Sequence, residues 1–308
     1  MAEATFSAPR FQDADKAREH LESLRWPTGA ICPHCGGVER NSKIEGKSAR
    51  PGLYFCGDCR TQFTVTVGTV FERSKIALNV WLQAVHLMCA SKKGVSAKQV
   101  ERMLGVTYKT AWFMCHRIRE AMTNPNGGLL GGNRGVVEVD ETYWGTAPGK
   151  KVRRGFGHKL KIVSLVDRKG EKRSFHVANV TADTLRPILT GNIARKSSIN
   201  TDEAKVYKRL GGNFFHHATV NHSAGEYVRG NVTTNTVESS FAILKRGLYG
   251  TFHNVSEQHL QRYATEFDFR WNHRVALGYS DAQRADIALR GIGEKRLTYR
   301  HTSPLQAV

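Results

Sequence analysis

Two closely spaced cysteine pairs place the strongest constraint on how this chain folds. Cys32 and Cys35 form one CxxC motif, Cys56 and Cys59 form a second, and 20 residues separate the two motifs. The surrounding segment, residues 11–72, is rich in turns and has too few apolar side chains for an independent core. Two CxxC turns bring four thiolates to one tetrahedral ion, so the pattern predicts a zinc ribbon over 11–72 with a structural Zn²⁺.

A thioredoxin-like redox pair is the alternative interpretation of a CxxC motif. Such a pair needs only one CxxC within a βαβ pattern, whereas the segments YFC and TQFTVTVGTVF beside these cysteines alternate like strands. The sequence also lacks a transmembrane apolar run and a secretory leader. We therefore expect a cytoplasmic protein whose cysteines stay reduced and bind metal.

The charge balance is strongly positive. The chain has 46 lysines and arginines against 27 acidic residues, a net charge of +19, and the excess is spread over most of its length. Cations along a surface bind phosphates with release of counterions. Binding to a membrane surface would instead require an amphipathic basic helix, which we do not find in the sequence. Nucleic acid is therefore the expected partner, and no membrane is expected.

A helix-turn-helix pattern occupies residues 73–123. Within VSAKQVERMLGVTYKTAWFMCHRIREAM, Ser96 can cap a first helix, Gly105 makes a tight turn, and Thr107 can cap a second helix. In DNA-binding units of this kind the second helix enters the major groove. A plain helical hairpin that packs on another domain is the alternative. Residues expected on or beside the exposed face of the second helix are Tyr108, Lys109, His116, Arg117 and Arg119.

A glycine-rich linker, residues 124–135, precedes a segment of alternating strands and helices. We predict three consecutive strands, then helix, strand and helix, followed by an extended segment and by helices from about Asn235 and Ser256. This order is typical of an α/β domain with a mixed sheet of the ribonuclease H type, over 136–292. Residues 293–308 read as a polar, basic tail. The predicted strands are Val136–Asp140, Lys161–Asp167, Lys172–Val177 and Ser198–Thr201.

Three acidic residues lie where elements of this segment begin or end. Asp140 and Asp202 close short β-branched runs, and Glu238 lies on a predicted helix. Taken singly, each has an ordinary explanation as a turn residue, a helix cap or a surface residue. Packed together at one end of a sheet, three carboxylates repel one another, and divalent cations relieve that repulsion. The pattern therefore predicts a site for Mg²⁺ or Mn²⁺ that supports phosphoryl transfer.

Basic residues accompany the acids. Lys245 and Arg246 follow Glu238 by two helical turns on about the same face, where they can hold a phosphate near the metals. A glycine-containing basic loop follows Asp140, and its position favours phosphate contact over a merely solvated loop. The loop residues assigned to DNA are Lys151, Arg153 and Arg154.

Several long motifs resemble one family. These are VEVDETYWG, TDEA, NTVESSFAILKRGLYGTFH and HLQRYATEFDFRWNHR. From about Cys32 to Arg274 the chain resembles bacterial insertion-sequence transposases of the DDE type, the group with an N-terminal zinc ribbon and an ISXO-like transposase domain. The resemblance implies a ribonuclease H-like fold with catalytic acids at Asp140, Asp202 and Glu238. Some relatives have asparagine at the third position, so Asn235, one turn before Glu238, is the alternative there.

The resemblance also implies a function. The expected enzyme cuts double-stranded DNA at the terminal repeats of its element and joins the 3′ ends to target DNA. One Mg²⁺, held by Asp140 and Asp202, activates the nucleophile, and a second, held by Asp140 and Glu238, stabilises the leaving oxygen. The ribbon and helix-turn-helix read the ends, and pairing of two ends requires a homodimer or larger synaptic oligomer. A catalytically inactive DNA-binding regulator and a nuclease that does not join ends are the alternatives.

Overall fold

The structure is a computed structural model that describes residues 5–46, 48–124 and 127–297. Contacts within the chain define two units. We call residues 1–123 together with 280–308 the N-terminal unit, and residues 124–279 the sheet unit. Within the described ranges, no helix combines the length and apolar character needed to cross a membrane.

The N-terminal unit combines helices with a small antiparallel sheet of strand order β1-β2-β3. Its strands are β1 (Asn41–Lys43), β2 (Tyr54–Cys56) and β3 (Gln62–Phe63). Its helices are α1 (Pro9–Gln12), α2 (Ala14–Arg25), α3 (Leu78–Ala90), α4 (Ala97–Leu104), α5 (Tyr108–Ala121) and, from the C-terminal part of the chain, α10 (Asp281–Arg290).

The paired helices α4 and α5 form as the sequence predicts. The Ser96 hydroxyl accepts from Gln99 N at the start of α4, and the Thr107 hydroxyl accepts from Thr110 N at the start of α5. Gly105 ends α4 in the left-handed region, with φ 65°, where glycine has no steric penalty. The two cap residues and the turn residue therefore define where α4 and α5 begin and where α4 ends, as expected from their residue types.

The predicted exposed face of α5 is only partly correct. Tyr108 and Lys109 are exposed at its first turn, but His116 and Arg119 are buried, with 0% and 2% of their surface accessible. The reason is that α3, α4 and α10 all pack against α5. Because several helices surround it, α5 buries a wider surface than a two-helix unit would require.

Helix α10 belongs to the N-terminal unit, although the sequence analysis placed residues up to 292 in the catalytic domain. Ser280 and Gln283 form a reciprocal capping box at its start. Ala285, Ala288 and Leu289 are buried, and α10 packs against α3. The compact sheet unit therefore ends at Tyr279.

The start of the predicted tail is bound to the N-terminal unit. Glu294 N donates to Gly68 O, and Lys295 Nζ donates to the carbonyl oxygens of Ala121 and Thr123. These bonds hold Glu294 and Lys295 against the N-terminal unit, so the first residues of the predicted tail are part of that unit. The rest of that predicted tail, 298–308, and two residues of the predicted linker, 125 and 126, lie outside the described residues.

The sheet unit contains a five-stranded sheet, a short hairpin and four helices. The sheet strands are β4 (Val136–Trp144), β5 (Leu160–Asp167), β6 (Lys172–Val177), β7 (Ser198–Thr201) and β8 (His216–Thr219). The hairpin pairs β9 (Val228–Arg229) with β10 (Val232–Thr233). The helices are α6 (Ala182–Asn192), α7 (Lys205–Leu210), α8 (Asn235–Gly247) and α9 (Glu257–Asn272), and a π-helical turn, Leu248–Phe252, continues α8.

The strand order is β6-β5-β4-β7-β8. Strand β5 is antiparallel to β4 and β6, whereas β7 is parallel to β4 and β8. Three strands in a meander extended by two parallel strands, with α6 as the crossover, make the mixed sheet of a ribonuclease H-like fold. The predicted fold class is therefore confirmed, and so are the positions of β5, β6 and β7. Strand β4 continues four residues past its predicted end at Asp140, to Trp144, so Asp140 lies within the strand.

Each face of the sheet has its own hydrophobic core. Val137, Val139 and Ile199 lie in a cluster with residues of α6 and α7. Ile162 and Val166 lie in a second cluster with residues of α8 and α9. Since side chains alternate along a strand, the valines of β4 fill the first core, and Glu138 and Asp140 face the α8 side. This is the face that the sequence pattern predicts for Asp140.

A buried ion pair ties α9 to β6. Asp268 accepts bonds from the backbone N and the hydroxyl of Ser174, at 2.6 and 2.7 Å, and lies 3.3 Å from Lys172 Nζ. Both side chains are buried, and burial lowers the pKa of Lys172 and raises that of Asp268. Removing one charge would leave the other without a partner in a low-dielectric core.

We predict that Asp268→Asn lowers the free energy of unfolding by about 3–5 kcal/mol, because the Lys172 ammonium stays buried without a counter-charge. Urea unfolding followed by circular dichroism measures this change. The control is Asp183→Asn, since Asp183 is exposed in the first turn of α6 and its loss should cost under about 1 kcal/mol. Equal effects of the two substitutions would contradict the prediction.

Candidate functional site

The four predicted zinc ligands meet at one point. Their Sγ atoms all lie within 4.8 Å of one another, and the Cys32–Cys59 and Cys35–Cys56 pairs are each 3.6 Å apart. Zn–S bonds of about 2.3 Å in a tetrahedron place sulfurs about 3.8 Å apart. The cluster therefore fits a structural Zn²⁺.

Local turns position these cysteines. Gly36 N donates to Cys32 O and Cys32 N donates to Gly37 O, which folds the first motif into a knuckle. Cys56 ends β2, and its N–H donates to Thr61 O across the second knuckle. The two knuckles come together because the short strands β1, β2 and β3 pair beside them.

The register of the sheet places two of the three predicted acids on neighbouring strands. Parallel pairing of β4 with β7 matches Glu138 to Asn200. Asp140 lies two residues after Glu138, and Asp202 lies two residues after Asn200, so the same register places the two aspartates opposite each other. Asp202 is the first residue after the end of β7. Asp202 Oδ1 accepts from Ala204 N at 3.0 Å, and Asp140 Oδ1 accepts from Glu141 N at 2.8 Å.

Glu138, a residue that the sequence analysis did not select, fastens α8 to β4. Its carboxylate accepts from Thr236 N at 2.8 Å, Val237 N at 3.1 Å and the Thr236 hydroxyl at 2.9 Å. Arg168 Nε donates to it at 3.0 Å, and the side chain is fully buried. A buried carboxylate thus satisfies the free N–H groups at the start of α8. The signal in the sequence was an acid inside the apolar run VVEV.

The third acid lies in the first turn of α8. Glu238 Oε1 accepts from the Thr234 hydroxyl at 2.7 Å and is 3.6 Å from His222 Nε2. His222 Nε2 is also 3.2 Å from the same hydroxyl. The alternative residue, Asn235, is exposed at the first position of the helix. The charge of Glu238 contributes to the raised pKa values of both aspartates.

Glu203 holds the loop that carries His222. It accepts from the N–H groups of His222 and Ser223 at 3.0 and 3.1 Å, and from the Ser223 hydroxyl at 2.6 Å. These bonds, the Ser223 hydroxyl first, lower the pKa of Glu203 to about 2. Hydrogen bonds to Glu203, the residue after Asp202, thus secure this loop, which brings His222 to Glu238.

Burial and neighbouring acids raise the pKa values of Asp140 and Asp202. Burial raises the pKa of Asp140 to about 8, and the charges of Glu141, Asp202 and Glu238 add to that effect. Burial likewise raises the pKa of Asp202, with contributions from Glu203 and Glu238. Among the described residues, neither Asp140 nor Asp202 has a lysine or arginine ion-pair partner. Without a cation, burial and the neighbouring acids thus favour the protonated form of these aspartates, and a divalent cation would favour their ionised form.

The three acids are more widely spaced than the cysteines. Over the described part of the chain, the cysteine cluster is the group in which three or more ligand atoms lie within 4.8 Å of one another. Glu141, the next residue along β4, points to the opposite face from Asp140 and accepts from the Tyr207 hydroxyl of α7 at 2.5 Å. Glu141 thus has a partner of its own outside the predicted triad.

The loop between β4 and β5 forms a basic cavity of about 530 Å³. The lining residues include Lys151, Arg153 and Arg154, which the sequence analysis assigned to DNA. Lys245 and Arg246 lie in the last turn of α8. Since each helical residue advances 1.5 Å, Lys245 stands about 10 Å along the axis from Glu238. These two residues are therefore set back from the acids.

A second basic cavity, of about 320 Å³, lies in the N-terminal unit beside the start of α5. Lys109 and Arg117 line it together with Arg73 and Lys75. Arg117 donates to Glu72 O at 3.2 Å and stacks over the Phe113 ring, so its guanidinium is partly held by the protein. Tyr108 stands exposed nearby in sequence, with Lys98 Nζ 5.5 Å from its ring.

Comparison with known proteins identifies the family of the chain. Residues 132–272 match the ISXO2-like transposase domain, and residues 12–62 match the transposase zinc-ribbon domain. An uncharacterized protein in transposable element ISH50 of Halobacterium salinarum is 31% identical over 280 residues, which cover 84% of this chain and 91% of that relative. The chain belongs to the ISXO2-like transposase family.

Two solved structures are also similar to this transposase, though only distantly. A Drosophila P element transposase strand transfer complex matches with 12% identity and a TM-score of 0.29, over 71% of this chain and 65% of that one. A pre-cleavage Mos1 transpososome matches with 15% identity and a TM-score of 0.22, over 63% of this chain and 77% of that one. At these TM-scores neither structure adds to the interpretation of the site.

We predict that Cys56→Ser removes zinc from the purified transposase, because one thiolate of four is lost and the ribbon has little apolar core to replace it. Metal content measured by plasma emission spectrometry should fall from about one zinc per chain to well below half. Cys89→Ala is the matched control, since Cys89 is buried outside the cluster. Retention of a full zinc in Cys56→Ser would contradict the four-thiolate site.

Proposed function

We propose that this transposase is an active DDE enzyme that cuts DNA at the terminal repeats of its element and joins the 3′ ends to target DNA. The observation that carries the proposal is the register that sets Asp140 level with Asp202 on adjacent strands. Glu138 adds the third acid by fastening the first turn of α8, which bears Glu238, to the same strand. In the proposal, these three carboxylates, from separate elements, together form the metal site on the α8 face of the sheet.

The donor set fits a hard divalent cation. Carboxylate oxygens are the ligands that Mg²⁺ and Mn²⁺ prefer, and burial together with the nearby acids raises the pKa of Asp140, an effect that a bound cation would oppose. In the proposal, Asp140 and Asp202 hold one ion, and Asp140 and Glu238 hold the second. Bound there, the ions supply Lewis-acid activation of the attacking oxygen and charge neutralisation at the leaving oxygen. In this assignment each ion is held by two of the three acids, and Asp140 is shared between the two ions.

The proposed DNA contacts involve both units. Lys151, Arg153 and Arg154 would hold phosphates close to the acids, because their loop directly extends β4. Lys245 and Arg246 would contact phosphates about 10 Å further along α8. In the N-terminal unit, the residues proposed to contact the terminal repeat are Tyr108, Lys109 and Arg117.

Two DNA ends have to be cut and joined together, so the proposed working form is a homodimer or larger synaptic oligomer on double-stranded DNA. The proposal locates the enzyme in the cytoplasm, on the nucleoid, where its substrate lies. A catalytically inactive, transposase-derived DNA-binding regulator is the second candidate. The spacing of the acids favours that candidate, since their oxygens do not all lie within 4.8 Å of one another among the described residues.

We predict that Asp202→Asn lowers metal-dependent cleavage on the order of 10³-fold, because the loss of one ligand charge removes several kcal/mol of transition-state stabilisation. The assay follows nicking and strand-transfer products from a plasmid that carries the element with its flanking DNA. DNA binding should change less than about twofold, since Asp202 contributes no cation to phosphate binding. Asp183→Asn serves as the control and should leave both readouts unchanged.

Three other outcomes of these assays would contradict parts of the proposal. Full cleavage by Asp202→Asn would remove this residue from the reaction. Cleavage without strand-transfer joints in the unchanged chain would indicate a nuclease. DNA binding with no cleavage in Mg²⁺ or Mn²⁺ would indicate the inactive regulator.

We predict that Glu238→Gln weakens Mn²⁺ binding at least about tenfold, because the substitution removes one of the ligand charges. Asn235→Ala should have little effect, because the Asn235 side chain is exposed one turn before Glu238. Titration of Mn²⁺ by electron paramagnetic resonance measures both affinities in the zinc-loaded protein. The reverse order of effects would assign the third ligand to Asn235.

A further inference from the structure

The start of α8 departs from the way in which threonine usually begins a helix. A threonine at the N-cap accepts a hydrogen bond from a backbone N–H two or three residues further on. Thr107 and Thr181 do so at the starts of α5 and α6, each from the third residue on, at 3.3 Å. Thr234 occupies the same position before α8, yet its hydroxyl caps no N–H group of that helix. The Thr234 hydroxyl therefore has a different role.

The carboxylate of Glu138 replaces the missing cap. The N–H groups that a hydroxyl at position 234 would bind are those of Thr236 and Val237, and both donate to Glu138, at 2.8 and 3.1 Å. The Thr234 hydroxyl instead donates to Glu238 Oε1 at 2.7 Å, and Thr234 is only 1% exposed. Capping of α8 from β4 thus leaves Thr234 available to the third acid.

The donors and acceptors determine how His222 takes part. A hydroxyl has one proton to donate and two lone pairs that accept. Because the Thr234 proton goes to Glu238, the Thr234 oxygen accepts from His222 Nε2, 3.2 Å away. The direct distance from His222 Nε2 to Glu238 Oε1 is 3.6 Å, too long for a hydrogen bond. The contacts therefore form a chain, from the Nε2–H of His222 through the Thr234 hydroxyl to the Glu238 carboxylate.

The position of His222 in this chain is fixed by its neighbours. Glu203 accepts from the His222 backbone N–H at 3.0 Å. The ring of Tyr227 meets the imidazole edge-on, with ring centroids 5.1 Å apart. Ordering a side chain costs conformational entropy, and contacts made in the folded protein meet that cost before a ligand arrives. The imidazole is thus held beside Glu238 by the fold itself.

We propose that Thr234 and His222 are positioning residues for the third metal-binding acid, since their hydrogen bonds engage Oε1 of Glu238 and leave Oε2 for the cation. Within the described ranges, Oε2 has no hydrogen-bond partner of its own. Carboxylates that bind metal ions are oriented by hydrogen bonds from neighbouring residues, and loss of such a bond typically weakens metal binding about 10–100-fold. The inference rests on the proposed function in that it takes Glu238 as a ligand. It goes further by assigning two residues that hold this ligand in place.

The test is Mn²⁺ binding to the full-length, zinc-loaded protein, titrated by electron paramagnetic resonance. Thr234→Val keeps the shape of the side chain and removes the hydroxyl, and no helix cap is lost with it. We expect this variant to bind Mn²⁺ at least about tenfold more weakly than the unchanged protein. Thr234→Ser is the matched control, because it keeps the hydroxyl, and its affinity should stay within about twofold.

A second variant tests the histidine. His222→Phe keeps a ring against Tyr227 and removes the Nε2–H, so it should also weaken Mn²⁺ binding. Since His222 acts through the Thr234 hydroxyl, adding His222→Phe to Thr234→Val should lower the affinity by less than about twofold further.

The Glu238→Gln background separates positioning from a general loss of structure. If both residues act through the Glu238 carboxylate, Thr234→Val should add less than about twofold to the effect of Glu238→Gln. A general disturbance of the site would multiply the two effects. Circular dichroism melting without Mn²⁺ shows whether each variant folds. If Thr234→Val does not fold, His222→Phe, whose side chain is partly exposed, is compared in the same two backgrounds.

The failures of the two proposals are distinguishable. Unchanged Mn²⁺ affinity in folded Thr234→Val, or multiplied effects in the Glu238→Gln background, would overturn the positioning roles while the metal site stands. If the unchanged protein binds no Mn²⁺, or if Glu238→Gln binds it equally well, the proposed metal site is wrong and the positioning roles are wrong with it.

Discussion

The buried carboxylate of Glu138 is the interaction on which the arrangement of the site depends. It joins β4 to α8 by accepting from two backbone N–H groups and the Thr236 hydroxyl, while Arg168 balances its charge. A buried ion pair is weak evidence for stability, because desolvation offsets much of the attraction. The contribution of Glu138 here is to position α8, because its hydrogen bonds with two backbone N–H groups fix which turn of the helix faces the strand. Glu238, one position beyond Val237, therefore comes to the same side of β4 as Asp140.

The contrast between buried acids shows where the fold leaves charge unbalanced. Glu138 has Arg168, Asp268 has Lys172, and Glu266 has Arg270 as ion-pair partners. Among the described residues, half-buried Asp140 accepts a hydrogen bond from the backbone N–H of Glu141 and has no ion-pair partner, and the charges of other acids raise its pKa further. Since an unpaired buried charge costs several kcal/mol, such a residue destabilises the fold unless it is protonated or binds a cation. This free-energy cost stabilises nothing else in the fold, and a cluster with such perturbed pKa values is therefore a candidate functional site.

Local features of the sequence predicted much of the fold. The alternation of Val137 and Val139 placed Asp140 on the correct face, and Ser96, Gly105 and Thr107 defined a helix pair from their own chemistry. The role of Glu138 was not predictable in this way, because its partner Thr236 is 98 residues distant. The burial of His116 and Arg119 has a similar cause, since α10 reaches α5 from the far end of the chain. Contacts of this range depend on topology, which residue type and spacing do not specify.

The opposite charges along β4 have a consequence for how DNA would bind. Among the described residues, Asp140 and Asp202 lack a lysine or arginine partner, whereas Arg168 balances Glu138. The basic loop begins six residues after the end of β4, at Lys150. A phosphate that approaches the acids meets like charge in a partly desolvated region, where screening by salt is weak. The loop cations attract the same phosphate from one side only. Close approach of the backbone to Asp140 therefore requires that the acids be neutralised first, so binding of metal and binding of DNA at this edge should be thermodynamically coupled.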